Sequence, residues 1–393
     1  MLLLPRRWAH RLPNEDTLLA TTPEDGAIVT AWEAALAAYT GAKHAIAISS
    51  GRQGMRLIFR HLHAETGGEV IVPAYTLGDL IPLIAGLGLT PVPADIDPRT
   101  LNVTAETVAA RITPQTRAVF VLHAFGAPAP INEIAALCAA RGLLLVEDGA
   151  HALGAWQDGR AIGTFGVAGF YSFEPTKPVN TYGGGAVVTD DDALAAQVRA
   201  AIAGLPYGHA TVRAKAAACV KEQRLMRSGI AWPILGMFAV PPAKRLLEPL
   251  YRGAQSVPAA AARYTPEQAA LGLEKLRTLD ERVAARARAV EIYANELPAT
   301  VRLQAVPAGG RSTWYFAIAL LPRPAAPLRR GMLLRGVDAA VEDEIADDVA
   351  AMLGNRHCPH AAHAARHALA LPLFDGITDA QVRRAARALK SAL

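Results

Sequence analysis

The chain has only three cysteines in 393 residues. Cys138, Cys219 and Cys358 are far apart. They form no CxxC pair and no framework of neighbours, so a reducing compartment is expected. Long apolar runs are also missing: none approaches the roughly 18 residues that a membrane-spanning helix needs. The opening Met1-Leu-Leu-Leu-Pro-Arg-Arg-Trp8 puts a very short apolar run ahead of its charges, the reverse of a secretory signal. A cytoplasmic location is the resulting expectation. Charge of one sign is scarce as well. A formal net charge of +5 is small for this length, and no basic stripe with interleaved aromatics runs through the first half, which argues against a nucleic-acid reader. No internal repeat stands out.

About half of the residues, 52%, are apolar. That is ordinary for a globular α/β protein and too apolar for disorder. The length allows two packed domains. From Ala31 onward, helix-like and strand-like stretches alternate. Trp32 to Tyr39 has helical spacing and stops at Gly41, His44 to Ile48 reads as a strand, and Gly54 to Leu62 reads as a helix. Strands follow at Glu69–Val72, Pro91–Ile96, Arg117–Leu122 and Leu143–Val146. Buried apolar runs separated by helices predict a mostly parallel sheet covered on both faces. Such sheets place ligands beyond the carboxyl ends of their strands.

The texture changes near Tyr264. Thr265-Pro266-Glu267 looks like an N-cap followed by proline at the first helical position. One long helix is expected from there to about Leu297, then a strand over Thr313–Leu321 and a terminal helix from Asp379. Residues 1–255 are therefore read as a large domain and 256–393 as a smaller α+β domain.

The chemistry concentrates between Leu143 and Thr189. Val146-Glu-Asp148-Gly-Ala-His151 ends a strand, Tyr171-Ser172-Phe-Glu-Pro-Thr-Lys177 follows, and Gly183-Gly-Gly185 leads into another apolar run. Pyridoxal-phosphate (PLP) chemistry needs such residue types. A lysine forms a Schiff base with the cofactor aldehyde and later carries a proton, and a carboxylate keeps the pyridine nitrogen protonated. The phosphate needs hydroxyls and backbone N–H groups at a helix N-terminus. Lys177, Asp148 and the turn Ser49-Ser50-Gly51 suit these roles, and Ser172 adds a hydroxyl. Each feature alone is common punctuation; their joint order carries the signal.

That order resembles the DegT/DnrJ-type aminotransferases, which aminate keto-sugars on nucleotide carriers and share the aspartate-aminotransferase fold (fold type I). The resemblance rests on Tyr39-Thr-Gly-Ala-Lys-His-Ala-Ile-Ala-Ile-Ser-Ser-Gly51, Val72-Pro-Ala-Tyr-Thr76, Asp95-Ile-Asp97-Pro, Glu147-Asp148-Gly-Ala-His151-Ala-Leu-Gly154-Ala, Ser172-Phe-Glu-Pro-Thr-Lys177, Gln268-Ala-Ala-Leu-Gly272 and Leu371-Pro-Leu373. It implies Lys177 as the Schiff-base lysine, Asp148 as the pyridine-nitrogen partner, His151 against the ring and its 3′-oxygen, and Ser172 at the phosphate. Ser50, Gly51, Arg52 and Gln53 complete the expected phosphate side, with Tyr75 and Leu77 near the ring. Relatives that replace the lysine with histidine are dehydratases, so retention of Lys177 favours amino transfer.

The departures are equally informative. Arg52 stands where the family usually has threonine, and the asparagine that reaches the phosphate from a partner subunit falls at Ala261. Two readings of Arg52 stand open: a replacement charge partner for the phosphate, or a solvent-facing helix residue. Leu77 takes the place of an aromatic that stacks on the ring, with Tyr75 as a substitute or a core residue. Pro178 replaces asparagine, and Gly183 replaces the glutamate of a Gly-Glu-Gly-Gly turn.

Between Ala200 and Tyr264 the chain is longer than the family leads one to expect. Arg213, Lys215, Lys221, Arg224 and Arg227 precede an apolar stretch with Trp232, and Lys244, Arg245 and Arg252 follow it. The segment 213–255 fits either a surface that lies on a membrane or accepts a lipid chain, or a hydrophobic hairpin buried in a dimer. His357, Cys358, His360, His363 and His367 offer metal-ligand types, but the local sequence lacks a matching carboxylate, and no metal is expected.

The expected protein is a homodimeric PLP-dependent aminotransferase without nucleic-acid partners. It takes an amino group from an amino acid, glutamate by preference, to a keto or aldehyde acceptor that is a sugar or something amphipathic or lipid-linked. Elimination, dehydration or decarboxylation on the same fold, or a non-catalytic PLP-binding sensor, are the rival readings. Arg311, Trp314 and Tyr315 are candidates for substrate binding because they sit before the expected small-domain strand.

Overall fold

Seven short strands rich in Ala, Val and Ile form the central sheet: β1 (His44–Ile48), β2 (Glu69–Pro73), β3 (Thr90–Ala94), β4 (Thr116–Leu122), β5 (Leu144–Asp148), β6 (Ala168–Ser172) and β7 (Gly185–Thr189). The computed structural model describes residues 3–21, 26–62, 67–228, 262–354 and 357–393. The apolar stretch Gly229–Val240, together with Lys244, Arg245, Arg252 and Ala261, lies outside the described residues.

The strand order is β1-β7-β6-β5-β4-β2-β3. The block from β6 to β3 is parallel, whereas β7 is antiparallel to both β6 and β1. Strand residues largely alternate between the two faces of the sheet, the period of two expected for a pleated strand. Ile71, Val119, Val121 and Leu145 pack to one face, while Val70, Val72, Ala118, Phe120 and Val146 pack to the other. Both faces are buried, so each strand reads as a continuous apolar run. This is the mostly parallel, helix-covered sheet that the patterning predicts.

Local chemistry accounts for the element ends. Gly41 closes helix Ala27–Thr40 with φ 75°, in the left-handed region. Ser50 caps helix Gly51–His61, its side chain accepting from the Gln53 N–H. Thr265 and Gln268 form a reciprocal capping box with Pro266 at the first helical position, as the sequence suggests.

The single helix expected up to Leu297 is two, Pro266–Arg277 and Leu279–Glu296. At the break, the Lys275 carbonyl accepts from the Arg282 guanidinium at 2.7 Å. Asp280 and Glu281 then fall in the first turn of the second helix, where carboxylates favour the positive end of the dipole.

A four-stranded antiparallel sheet runs Arg302–Leu303, Ala317–Leu320, Ala368–Leu371, Ala340–Val341. Its core takes in Leu4, Val382, Ala386 and Leu389, so the start of the chain packs there: Leu4 bridges to Val337. The expected strand Thr313–Leu321 shortens to Ala317–Leu320. Residues 313–316 instead bond sideways: Thr313 N–H to Gly126 O at 3.0 Å and Tyr315 N–H to Phe125 O at 3.0 Å. Phe125 and Trp314 both adopt positive φ, 57° and 51°. Gly126 is required here, because a Cβ on it would lie 2.1 Å from Thr313 Oγ1. No helix among the described residues is long and apolar enough to cross a membrane.

Candidate active site

Strands β1, β2, β5 and β6 end on one edge of the sheet, and the expected site residues gather there. β5 delivers Asp148. Its backbone carbonyl accepts from His123 N–H, and its Oδ1 accepts from Ala150 N–H at 2.8 Å. The carboxyl is buried. Desolvation pushes it up to about 6, against the lowering pull of Ala150 N–H, Lys177, His123 and Arg52.

Beside it, Glu147 holds the loop that follows. Its Oε1 accepts from the N–H groups of Phe165 (2.6 Å) and Gly166 (2.7 Å), and its Oε2 from Gly163 N–H at 2.8 Å. His123 Nε2 lies 3.1 Å from the same Oε2. Because Ala129 N–H donates to His123 Nδ1, the ring proton sits on Nε2 and points at Glu147. Glu147→Ala strands these donors in the core and is expected to destabilise the fold by roughly 3–5 kcal/mol in chemical denaturation.

His151 is buried one turn beyond Asp148. Burial and the Lys177 charge hold its imidazole well below the usual range, so it is neutral. Its ring stacks on Tyr315, with centroids 4.1 Å apart and planes at 14°, and its carbonyl accepts from Thr313 Oγ1 at 2.7 Å. Its Nδ1 is buried without a hydrogen-bond partner among the described residues.

Lys177 sits in a tight turn, its N–H bonded to Glu174 O at 2.9 Å. The segment after it is pinned from several directions. Arg282 donates to Pro178 O at 2.7 Å, Asn180 donates to His10 O at 2.9 Å, and Lys275 donates to Asn180 Oδ1 at 3.0 Å. Lys275 is itself fully buried, paired with Glu15 at 2.8 Å. The Lys177 Nζ lies 4.7 Å from the centre of the Tyr315 ring.

The side expected to hold a phosphate is built from β1, β6 and β7. Ser50 bridges to Gly184, and Gly185 pairs with both Ile48 and Ser172. Gly184 has φ 88°, and a Cβ there would come within 2.3 Å of the Tyr264 ring, which only glycine avoids. Gly51 is buried at the start of its helix, and a Cβ there would touch Ser172 Cβ at 3.4 Å. Gln53 turns its Oε1 to Ser49, accepting from the backbone N–H (2.9 Å) and the hydroxyl (2.6 Å).

Arg52 is exposed and faces Asp79 Oδ2 at 3.1 Å. Tyr75 lies in the core with its ring edge against Phe125 at 5.9 Å, its hydroxyl without a partner among the described residues. Leu77 is 38% exposed.

Two basic residues of the middle segment contact other parts of the chain. Lys215, on helix His209–Arg227, pairs with Glu174 at 2.8 Å, and Arg227 covers the Trp8 ring at 5.2 Å. In the C-terminal histidine group, Asp95 supplies a carboxylate that the local sequence lacks. It accepts from the N–H groups of His360 and Ala361, and His360 Nδ1 lies 3.1 Å from it. His363 and His367 stack at 3.9 Å, and His367 Nδ1 is 3.0 Å from Leu321 O. Among the described residues no group of three or more such side chains is disposed to hold a metal.

Residues 15–390 match the model of the DegT/DnrJ/EryC1/StrS aminotransferase family. Similar solved structures include DesV of S. venezuelae (25% identity, TM-score 0.75, 96% of this chain and 94% of that one). The aminotransferase TlmJ of Streptoalloteichus hindustanus (26%, 0.76, 99% and 98%) is another. A third is DesI, solved in the presence of its TDP-sugar product (27%, 0.73, 99% and 92%).

Proposed function

The chain belongs to the DegT/DnrJ/EryC1/StrS aminotransferase family, and from that premise we propose that it moves an amino group from glutamate to a keto or aldehyde carbon of a sugar or an amphipathic, lipid-linked acceptor. The observation that carries the reading is the meeting of Lys177, Asp148 and His151 at the carboxyl edge of the sheet.

The residues present fit PLP. The buried carboxyl of Asp148, pushed up to about 6 by desolvation, is relieved by a cation beside it, as a protonated pyridine nitrogen would be. The Nδ1 of buried neutral His151, without a hydrogen-bond partner among the described residues, suits a polar ring substituent. The glycine-lined turn at Ser50, Gly51 and Gly184, at the start of an 11-residue helix, suits a phosphate. When bound, PLP supplies the electron sink for breaking a bond at the substrate α-carbon.

The protein's own residues do the rest. Lys177 Nζ holds the cofactor and, once released, moves the proton. Asp148 holds a positive charge at the ring nitrogen. His151 orients the ring, and the Ser50–Gln53 turn with Ser172 holds the phosphate. Arg52 lies on that turn, and its charge reaches Asp148. If it also pairs with the phosphate, Arg52→Ala weakens PLP retention at least about tenfold on dialysis, whereas unchanged retention assigns it to Asp79 alone.

DesI was solved in the presence of a TDP-sugar product, which supports the sugar side. The apolar stretch of 213–255 between basic residues supports the amphipathic side, and a hairpin buried in a dimer is the alternative use of that segment. The test is a single half-reaction: glutamate should convert the bound cofactor to its amine form and release one equivalent of 2-oxoglutarate. Keto-sugar nucleotides and lipid-linked keto compounds are then compared as acceptors that restore the original spectrum. Loss of CO2 or ammonia from the donor without that conversion would point to one of the other PLP reactions.

A further inference from the structure

We propose that Tyr315 is a further catalytic residue, whose phenol oxygen shares a proton with the Lys177 amine and so sets that amine's charge whenever it is free of the cofactor. The inference rests on Lys177 being the cofactor-bearing lysine. It adds to that reading a second proton-handling group on a different part of the chain.

The geometry points one way from three contacts. The Lys177 Nζ lies over the Tyr315 ring, 4.7 Å from its centre. The phenol oxygen is 3.0 Å from Thr176 Oγ1, the residue immediately before Lys177, so the hydroxyl is held at the lysine end of the turn. The ring lies flat on His151 at 4.1 Å, which fixes its plane. The backbone is held by Tyr315 N–H to Phe125 O at 3.0 Å, and the residue is 7% exposed. Tyr315 therefore touches the amine, its neighbour and the ring-orienting histidine together, and cannot swing away without breaking the 125–315 contacts.

The chemistry is matched. A phenol and an alkylammonium have ordinary pKa values within about half a unit of each other, so a proton moves between them at little cost. The exchange is balanced: one N–H bond breaks as one O–H bond forms, or the reverse, and no electrons leave the pair. Burial raises the phenol's pKa, but the charges of Lys177 and Arg7 and the hydrogen bond with Thr176 outweigh it and lower it overall.

Among the described residues, the other charged groups around the pair are few. Asp148 and His151 face Lys177, Arg7 faces Tyr315, and His123 and Arg52 act on Asp148. His151 is held neutral and Asp148 faces the ring nitrogen in the proposed site. Tyr315 is thus the hydroxyl placed to exchange a proton with the lysine.

Tyr315→Phe keeps the stack on His151 and the ring under Nζ while removing only the hydroxyl; Tyr315→Ala removes both. In cofactor-free enzyme, the rate at which an amine-selective reagent modifies Lys177 is followed across pH by mass spectrometry of its peptide. A coupled amine–phenol pair titrates in two steps, so the wild type should show two inflections and Tyr315→Phe one. In the loaded enzyme the glutamate half-reaction should slow about tenfold to a hundredfold in Tyr315→Phe, with thermal stability unchanged. A Tyr315→Phe enzyme with the wild-type profile and rate, Tyr315→Ala alone being impaired, overturns the proposal and leaves the ring a packing residue. Retained turnover in Lys177→Ala would instead overturn the assignment of Lys177, so the two failures are distinguishable.

Discussion

Lys177→Ala is expected to lower turnover by about a thousandfold or more, the scale seen when a covalent or proton-carrying group is removed. The cofactor itself should still bind. The carboxyl of Asp148 and the turn at Ser50 and Gly51 are built by β5 and by β1 with its helix, and neither needs the lysine for its shape. The variant is therefore expected to retain PLP by non-covalent contacts, to fold with wild-type stability, and to lose the absorption of the lysine-bound form. A simple structural role for Lys177 predicts the opposite pattern: a lower melting temperature, with activity surviving in the folded fraction. The segment around it is held independently by Arg282, Asn180 and Lys275, which makes the structural pattern the less economical one.

Asp148→Asn should be the second largest effect, lowering turnover on the order of a hundredfold to a thousandfold, as expected when a charge aimed at the reacting system is removed with the shape retained. The same variant has a stability signature whose sign can be worked out. In the folded, cofactor-free protein the carboxyl is pushed up to about 6 from the ordinary 3.8 by desolvation. The folded state then binds the proton more tightly than the unfolded state does. Stability from this group is thus present at acid pH and is lost as pH rises from about 4 through about 6.

Relative to Asp148→Asn, which has no charge to desolvate, cofactor-free wild type should lose up to roughly 3 kcal/mol across that window. Bound cofactor, with a cation facing the carboxylate, should remove most of the difference. Urea denaturation at several pH values, with and without PLP, reads both. Equal pH dependence in wild type and variant would mean that Asp148 is not the buried carboxyl that the geometry makes it.

Much of this site is legible along the chain because its members sit at strand ends. Asp148 closes β5, Ser49 and Ser50 follow β1, and Ser172 closes β6; an apolar run that stops at a polar residue marks the carboxyl edge of a parallel sheet. The capping signal at Thr265 also appears in the structure.

What the sequence hides is set by distant pairings. Tyr315 falls on the lysine because residues 313–316 leave the expected strand to bond the 125–126 turn, two positive-φ residues allowing it, and nothing local encodes that. Glu147 reads only as the neighbour of Asp148, since its donors at 163, 165 and 166 are brought to it by a loop. Lys275 looks like a helix-surface residue until Glu15, from the far end of the chain, buries it. The helix break at Thr278 was signalled by Asp280 and Glu281 but masked by strong helix formers on both sides.

The central claim is that Lys177 bears the cofactor, and it can be read without any assumption about substrate. Enzyme isolated with PLP is reduced with borohydride, digested, and its peptides mapped by mass spectrometry. The account predicts one cofactor mass per chain, on the peptide carrying Lys177, and none on that peptide when glutamate has first been allowed to react. A cofactor mass on another lysine, such as Lys215 or Lys275, or on none, would contradict it.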